Sequence, residues 1–360
     1  MRRQSTAFTI VRTCLQICLA GIVLVSCRPV AALRSAPSLA FAWSYRAGDY
    51  VRSIPAAADD GMIYVGSDDN ALHAIDTTTG EARWTYPTED NVTSAPLVEG
   101  DTVIAASWDG RVYSLDRADG SLRWQHQTDG WVTGPLAFDS GTVYAGSHDH
   151  FAYALDAEDG SLRWKTETDG RIAGGMTFSD GAVFFGATDG YVYALQTSNG
   201  SLLWRFRSSG DVVSRPAVGD GTVFVSTLGR NLYALSAQTG ELIWSYEMDM
   251  GSESSPAFAN STVYVGSDGG YLYALDAEDG ALAWRFEALD IVRSTPLVHD
   301  GLLLFGSDDG YLYALQASSG DLIWRYKTGG VIAAGPAVAN GRVLVGSTDR
   351  RVHAFTIEGQ

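Results

Sequence analysis

Tryptophan returns every forty residues along this chain, at Trp84, Trp124, Trp164, Trp204, Trp244, Trp284 and Trp324, with Trp43 forty-one residues ahead of the first. A period of about 20 to 50 residues marks a supersecondary unit that cannot bury its own apolar face and must stack on copies of itself. Eight copies of about 40 residues consume most of the 360-residue chain, so no second folded domain is expected.

Each repeat offers four short runs bounded by turn residues. In one unit they are 291–298 (around Pro296), 302–307, 311–315 and 322–326, each apolar or β-branched. Asp309-Gly310 joins the second and third runs, as Asp109-Gly110 and Asp189-Gly190 do elsewhere, and suits a two-residue hairpin whose residues need positive φ. The third and fourth runs meet at a turn ending in Gly80, Gly120, Gly160, Gly200, Gly240, Gly280 or Gly320. No helix follows these glycines, so they read as turn requirements and not as phosphate cradles. Past Leu39 no stretch supports a helix.

Four-stranded antiparallel units repeated radially make an all-β fold, an eight-bladed β-propeller. The propeller body begins with a lone tryptophan strand at Trp43 and ends with three strands, Val331 to Phe355, that lack one. The N-terminal strand is therefore expected to complete the last blade, which removes free sheet edges.

The 42 acidic residues outnumber the 25 lysines and arginines, for a net charge of −17, and the first acid is Asp49. Such a surface repels phosphate backbones and anionic lipid headgroups, which argues against nucleic-acid binding and charge-driven membrane docking. The only lysines are Lys165 and Lys327, and an acid-rich, lysine-poor surface suits salty surroundings. All three cysteines, Cys14, Cys18 and Cys27, precede the repeats, which excludes disulfides and thiolate chemistry from the folded body.

The first 26 residues read as an export signal: a basic start at Arg2-Arg3, then an apolar stretch from Thr13 to Val25 too short to span a bilayer comfortably. Leu24-Val25-Ser26-Cys27 resembles a bacterial lipobox, in which Cys27 becomes the acylated first residue. The alternative is cleavage after Val30-Ala31-Ala32, leaving a soluble periplasmic or extracellular protein. Residues 27–40 then form a tether or tail and 41–357 a single propeller, expected to be monomeric.

Ala74-Ile75-Asp76-Thr77-Thr78-Thr79-Gly80-Glu81-Ala82-Arg83-Trp84 resembles the A-x-D-x-x-T-G-x-x-x-W signature of the quinoprotein, or PQQ-like, propeller repeat. Ala154–Trp164 and Ala274–Trp284 are similar, with Asp159 and Asp279 where threonine is usual. The resemblance implies that the indoles of Trp43, Trp84, Trp124, Trp164, Trp204, Trp244, Trp284 and Trp324 dock between blades. An indole suits that role, being a large apolar plate with one donor for a turn carbonyl.

The enzymes that name the repeat hold pyrroloquinoline quinone (PQQ) and Ca²⁺ and oxidise alcohols or sugars. Here the family's cysteine pair is absent and the compact repeats leave little room for the insertions that build its pocket. Calcium wants about six to eight oxygens at one point, and no repeat shows an Asp/Asn cluster richer than its turns require. No catalytic, cofactor or metal residue is assigned. Asp68-Asp69-Asn70 and Asp308-Asp309-Gly310 read as hairpin residues, and His148-Asp149-His150 offers two imidazoles without an identifiable third ligand.

Residues common to all units serve the scaffold, so particular function is written where the repeat breaks. Trp108 and Leu228 stand at hairpin tips, Trp131 precedes the first strand of its blade, and Met248 and Met250 occupy the same loop of another. Exposed apolar loop residues suit a protein-binding face. Arg52, Arg171, Arg215 and Arg293, with Thr93 and Glu253, lie near the innermost prolines and the axial funnel, where they suit either an anion or blade-to-blade ion pairs.

The chain as a whole is similar to the outer-membrane assembly factor BamB family, lipoproteins with this repeat, this blade number and nearly this length. That resemblance implies a non-catalytic exported scaffold whose partners are proteins of the barrel-assembly machinery, held at the membrane only through a lipid anchor. The alternatives are a PQQ- and calcium-dependent dehydrogenase and a surface ligand-sensing propeller.

Overall fold

The computed structural model of the protein describes residues 38–358. The expected export signal, Cys27 and most of the expected tether lie outside these residues. The described residues form eight four-stranded antiparallel sheets and no helix. Blade 1 comprises Ala56–Ala57, Met62–Ser67, Ala71–Asp76 and Ala82–Pro87, in spatial as well as sequence order. The next six follow the same plan at forty-residue intervals. Blade 8 is built from Ala337–Ala339, Arg342–Ser347, Arg351–Glu358 and the N-terminal strand Ser38–Arg46, which pairs with Arg351–Glu358 from Ser38↔Glu358 to Arg46↔Arg351. The tryptophan strand therefore closes the ring.

First strands of successive blades touch one another, which places them at the axis and the tryptophan strands at the rim. The two middle strands are sandwiched between neighbouring sheets and are buried along nearly their whole length, as in Thr142–Gly146 and Phe151–Asp156. Apolar residues can therefore occupy both faces of a middle strand, whereas a rim strand such as Leu202–Arg207 alternates. Each rim strand carries a bulge at the residue before its tryptophan: Ala154 faces Trp164 and Leu155 faces Leu162, leaving Arg163 unpaired. The closing strand repeats the irregularity between Phe41 and Trp43. A bulge re-aims the next side chain, here the indole.

Two local expectations are corrected. The hairpin between second and third strands has three loop residues, not two. Gly310 N–H donates to Ser307 O and Ser307 N–H to Tyr311 O, and only the third loop residue has positive φ. This is a type I turn followed by a left-handed residue, which matches the strand twist as well as a two-residue turn does. Asn70, His150, Arg230 and Arg350 hold that left-handed position where other blades have glycine.

The innermost strand is also shorter than the apolar run suggests. Only Leu297–His299 pairs, while 291–296 runs as an irregular strap between blades. The strap's hydrogen bonds go across the ring. Val292 N–H donates to Ser267 O of the preceding blade, and Ile291 O accepts Asp308 N–H of its own blade. Equivalent latches recur around the ring, for example Val132 to Ser107 and His148 to Trp131. Backbone groups are satisfied without a ladder.

Candidate functional site

An up-and-down blade sends its first and third turns to one end of the propeller and its second hairpin and the interblade strap to the other. The turn end is repetitive. Trp84 Nε1 donates to Arg117 O of the next blade at 3.0 Å, Trp124 to Ala157 O at 2.9 Å and Trp164 to Thr197 O at 2.7 Å. Trp43, Trp204, Trp244 and Trp284 make the same bond to Thr77, Ala237, Ala277 and Ala317. Each indole also lies flat on the next blade's turn glycine. A Cβ at Gly240 (φ 71°) would approach the Trp204 ring to 2.6 Å. These glycines are thus required twice, for their dihedral and for the approaching ring, and only the first reason is visible in the repeat. Trp324 faces the closing blade, whose two outer strands are not consecutive in sequence and so lack this turn, and packs edge-on against Phe355 at 5.1 Å.

The strap end is where the blades differ. The first loop residue of the eight hairpins is Asp68, Trp108, His148, Thr188, Leu228, Asp268, Asp308 and Thr348 in turn. In blades 2 and 3 this position and the strap combine. Because Val132 latches to Ser107 and Trp131 O accepts His148 N–H, Trp131 is pinned between the two hairpins. Its ring stacks on Trp108 with centroids 4.9 Å apart and meets the His148 ring at 5.5 Å. Trp108 Nε1 donates to Thr93 Oγ1 at 2.8 Å, and the Arg52 guanidinium sits 5.6 Å from the Trp108 ring. His148 Nε2 lies 3.1 Å from Thr133 Oγ1. Burial, with Arg171 nearby, lowers the His148 pKa against the pull of Asp149. Trp131 remains 46% exposed, the outermost element of a fixed aromatic wedge.

Around the ring the character changes. Arg293 Nη2 pairs with Asp308 at 3.0 Å and Nη1 approaches Glu253 at 3.9 Å. Burial raises the pKa of both Asp308 and Asp268, with Glu253 adding to the effect on each. Arg52 pairs with Asp68 at 2.7 Å. Leu228 is 40% and Met250 52% exposed on this end, whereas Met248 turns inward and is 1% exposed. Sequence reasoning missed Leu289, at 72% the most exposed large apolar side chain on the straps.

The four funnel arginines do not form one ring. Arg52 and Arg293 bridge to hairpin aspartates at the rim of the mouth, Arg171 is exposed on its strap, and Arg215 lies deeper. His148 and His150 diverge as well: the first joins the wedge, while the second is exposed, with its carbonyl accepting from Thr168. Among the described residues no group of three or more His, Cys, Asp and Glu side chains is placed to hold a metal ion. The hairpin aspartates have a structural use: Asp149 Oδ2 accepts the Tyr153 hydroxyl at 2.7 Å and Asp309 Oδ2 that of Tyr313 at 2.6 Å.

The profile of the family described as outer membrane protein assembly factor BamB matches residues 35–168, 128–213, 153–287 and 292–359. No curated protein matches the sequence. Among solved structures, BamB from Moraxella catarrhalis is similar over 89% of this chain and 100% of its own, with 21% identity and a TM-score of 0.78. The computationally designed Ika8 protein covers 88% of this chain and 100% of its own at 17% identity and a TM-score of 0.80. The quinohemoprotein alcohol dehydrogenase from Comamonas testosteroni covers 89% of this chain with 77% of its own, at 18% identity and a TM-score of 0.75. At these identities the structural likeness establishes the fold.

Proposed function

The chain belongs to the family of the outer membrane protein assembly factor BamB, and from that premise we propose that it is a non-catalytic protein-interaction platform serving outer-membrane protein assembly. One observation carries the choice of surface: at the strap end, where the blades differ, blades 2 and 3 present a stacked wedge of Trp108, Trp131 and His148 whose outermost ring, Trp131, is exposed. Rigid aromatic anchors beside polar neighbours are what protein interfaces favour, because they bury much area at little cost in conformational freedom. The partners are proteins of the barrel-assembly machinery. The protein is exported and reaches the membrane through acylated Cys27.

The test is a photo-crosslinking amino acid at Trp131 in the full-length protein, followed by capture from solubilised membranes. A barrel-assembly component in the adduct supports the specific reading, and an adduct containing only other proteins leaves a platform with a different client. Uptake of pyrroloquinoline quinone and Ca²⁺ with dye reduction would overturn the non-catalytic reading. Retention of Cys27→Ser in the membrane fraction would overturn the lipid anchor.

A further inference from the structure

Arg215 differs from the other arginines of the mouth. It is the fifth residue of its strap, level with Gly175 in the preceding blade and Ser255 and Thr295 in the two that follow, and so sits next to the innermost strand at the axis. Its stem lies over Gly175, where a Cβ would approach Arg215 Cγ and Cδ to 3.0 Å. Nε donates to Met176 O at 3.0 Å and to Thr177 Oγ1 at 3.1 Å. The Thr177 hydroxyl is committed to Pro216 O at 2.6 Å, which leaves its oxygen to accept from the guanidinium. The Arg215 backbone N–H donates to Ser255 Oγ at 2.9 Å. Two hydrogen bonds thus aim the guanidinium, and a third fixes its backbone.

Among the described residues nothing answers its charge: Arg215 has no carboxylate partner, and burial, which lowers its pKa, acts on it unopposed. Its Nη atoms have no protein acceptor, and neither does the Ser255 hydroxyl proton. The side chain is part-buried, and a cation drawn out of bulk water is usually paired. The chain has 42 acidic residues available, and Arg52 and Arg293 each use one. A guanidinium whose stem lies over a glycine, that is aimed by two hydrogen bonds and left without a carboxylate, is built as one half of an ion pair.

We propose that Arg215 anchors a carboxylate-binding site in the axial channel, its two Nη groups taking the two carboxylate oxygens and the Ser255 hydroxyl donating a further hydrogen bond. The planar fork of arginine matches a carboxylate bidentately. One positive charge inside a body of net charge −17 suits a monoanion and leaves a dianion uncompensated. The same chemistry is offered by a free small acid and by the C-terminus of a peptide. The site lies apart from the aromatic wedge and stands or falls independently of the platform reading.

Full-length protein in neutral detergent is titrated calorimetrically, at constant ionic strength, with acetate, phosphate, trialanine and trialanine amide. Acetate or free trialanine should bind once per chain and the amide should not. Tighter binding of acetate assigns the site to free acids, and tighter binding of trialanine assigns it to chain termini. Arg215→Gln should weaken binding by about tenfold or more, and Arg215→Lys by less, because it keeps the charge without the fork. No binding of either carboxylate, tighter binding of phosphate, equal binding of the amide, or undiminished affinity in Arg215→Gln would each overturn the proposal. Should Arg215→Gln not fold, undiminished affinity in both Arg215→Lys and Ser255→Ala has the same force.

Discussion

The two ends of this propeller are made by the same strands and obey opposite rules. At the turn end, seven indoles make the same hydrogen bond to the next blade and lie on the same glycine. At the strap end, eight equivalent hairpin positions carry aspartate, threonine, tryptophan, histidine or leucine. The first end transmits one packing solution around the ring and tolerates no variation without a gap between blades. The second is latched at the first residue of each hairpin through its backbone N–H, whatever the side chain, while aspartates at the next position, such as Asp109, Asp149 and Asp309, brace the strap. Its first hairpin residues are free to differ, which is why the proposed partner surface is placed there.

Substitutions should separate the two ends by size of effect. Trp204→Ala removes a buried aromatic and orphans the Ala237 carbonyl, so unfolding in urea should show a loss of about 3–5 kcal/mol. Trp324→Ala should cost less, having no turn to abandon. A loss at Trp204 no larger than at Trp324 would break the account of indole docking. Gly240→Ala meets both a left-handed φ and the Trp204 ring, and should cost about 2 kcal/mol or more by the same measurement.

A pH effect should appear at the ring seam. Blades 1 and 8 replace the usual tyrosine with His73 and His353, and His353 Nε2 meets Asp349 at 2.9 Å. Burial lowers the His353 pKa, against the pull of Asp349. A base with a depressed folded pKa stays neutral in the fold while the unfolded chain takes up the proton. Its stabilising contribution is therefore intact above the unfolded value near 6.5 and declines as pH falls from there toward the folded pKa. Melting temperatures at about pH 7.5 and about pH 5.5 should differ less in His353→Tyr, which restores the pairing seen at Tyr113–Asp109. An unchanged difference would remove His353 as the cause.

The smallest change in stability is expected at Trp131→Ala, within about 1 kcal/mol, because the side chain is half exposed. The same variant should lose capture of the partner. If it unfolds the protein instead, the wedge belongs to the scaffold and the contrast between the ends fails.

Much of the scaffold was legible because a fixed period constrains eight sites at once. Trp43 without preceding strands, and Val331 to Phe355 without a tryptophan strand, imply closure by chain counting alone. The inner strand was overestimated because Ile291 to Pro296 has the composition of a strand while its hydrogen bonds run to two different blades. The wedge was half legible: Trp108, Trp131 and His148 were each conspicuous as breaks in the repeat, but their stacking depends on a strap passing between two hairpins. Arg215 was grouped with Arg52, Arg171 and Arg293 by its distance from proline, and two residues of offset along the strap put it at a different depth.

Sequence alone determined the architecture, because burial of a repeated apolar face is a local demand that every copy makes of its neighbour in the same way. Which side chains meet across blades, which arginines find carboxylates and which one is left without, was decided only by tertiary structure. Those contacts join positions with no fixed spacing, and an ion pair or a stacked ring exists only where distance and direction agree.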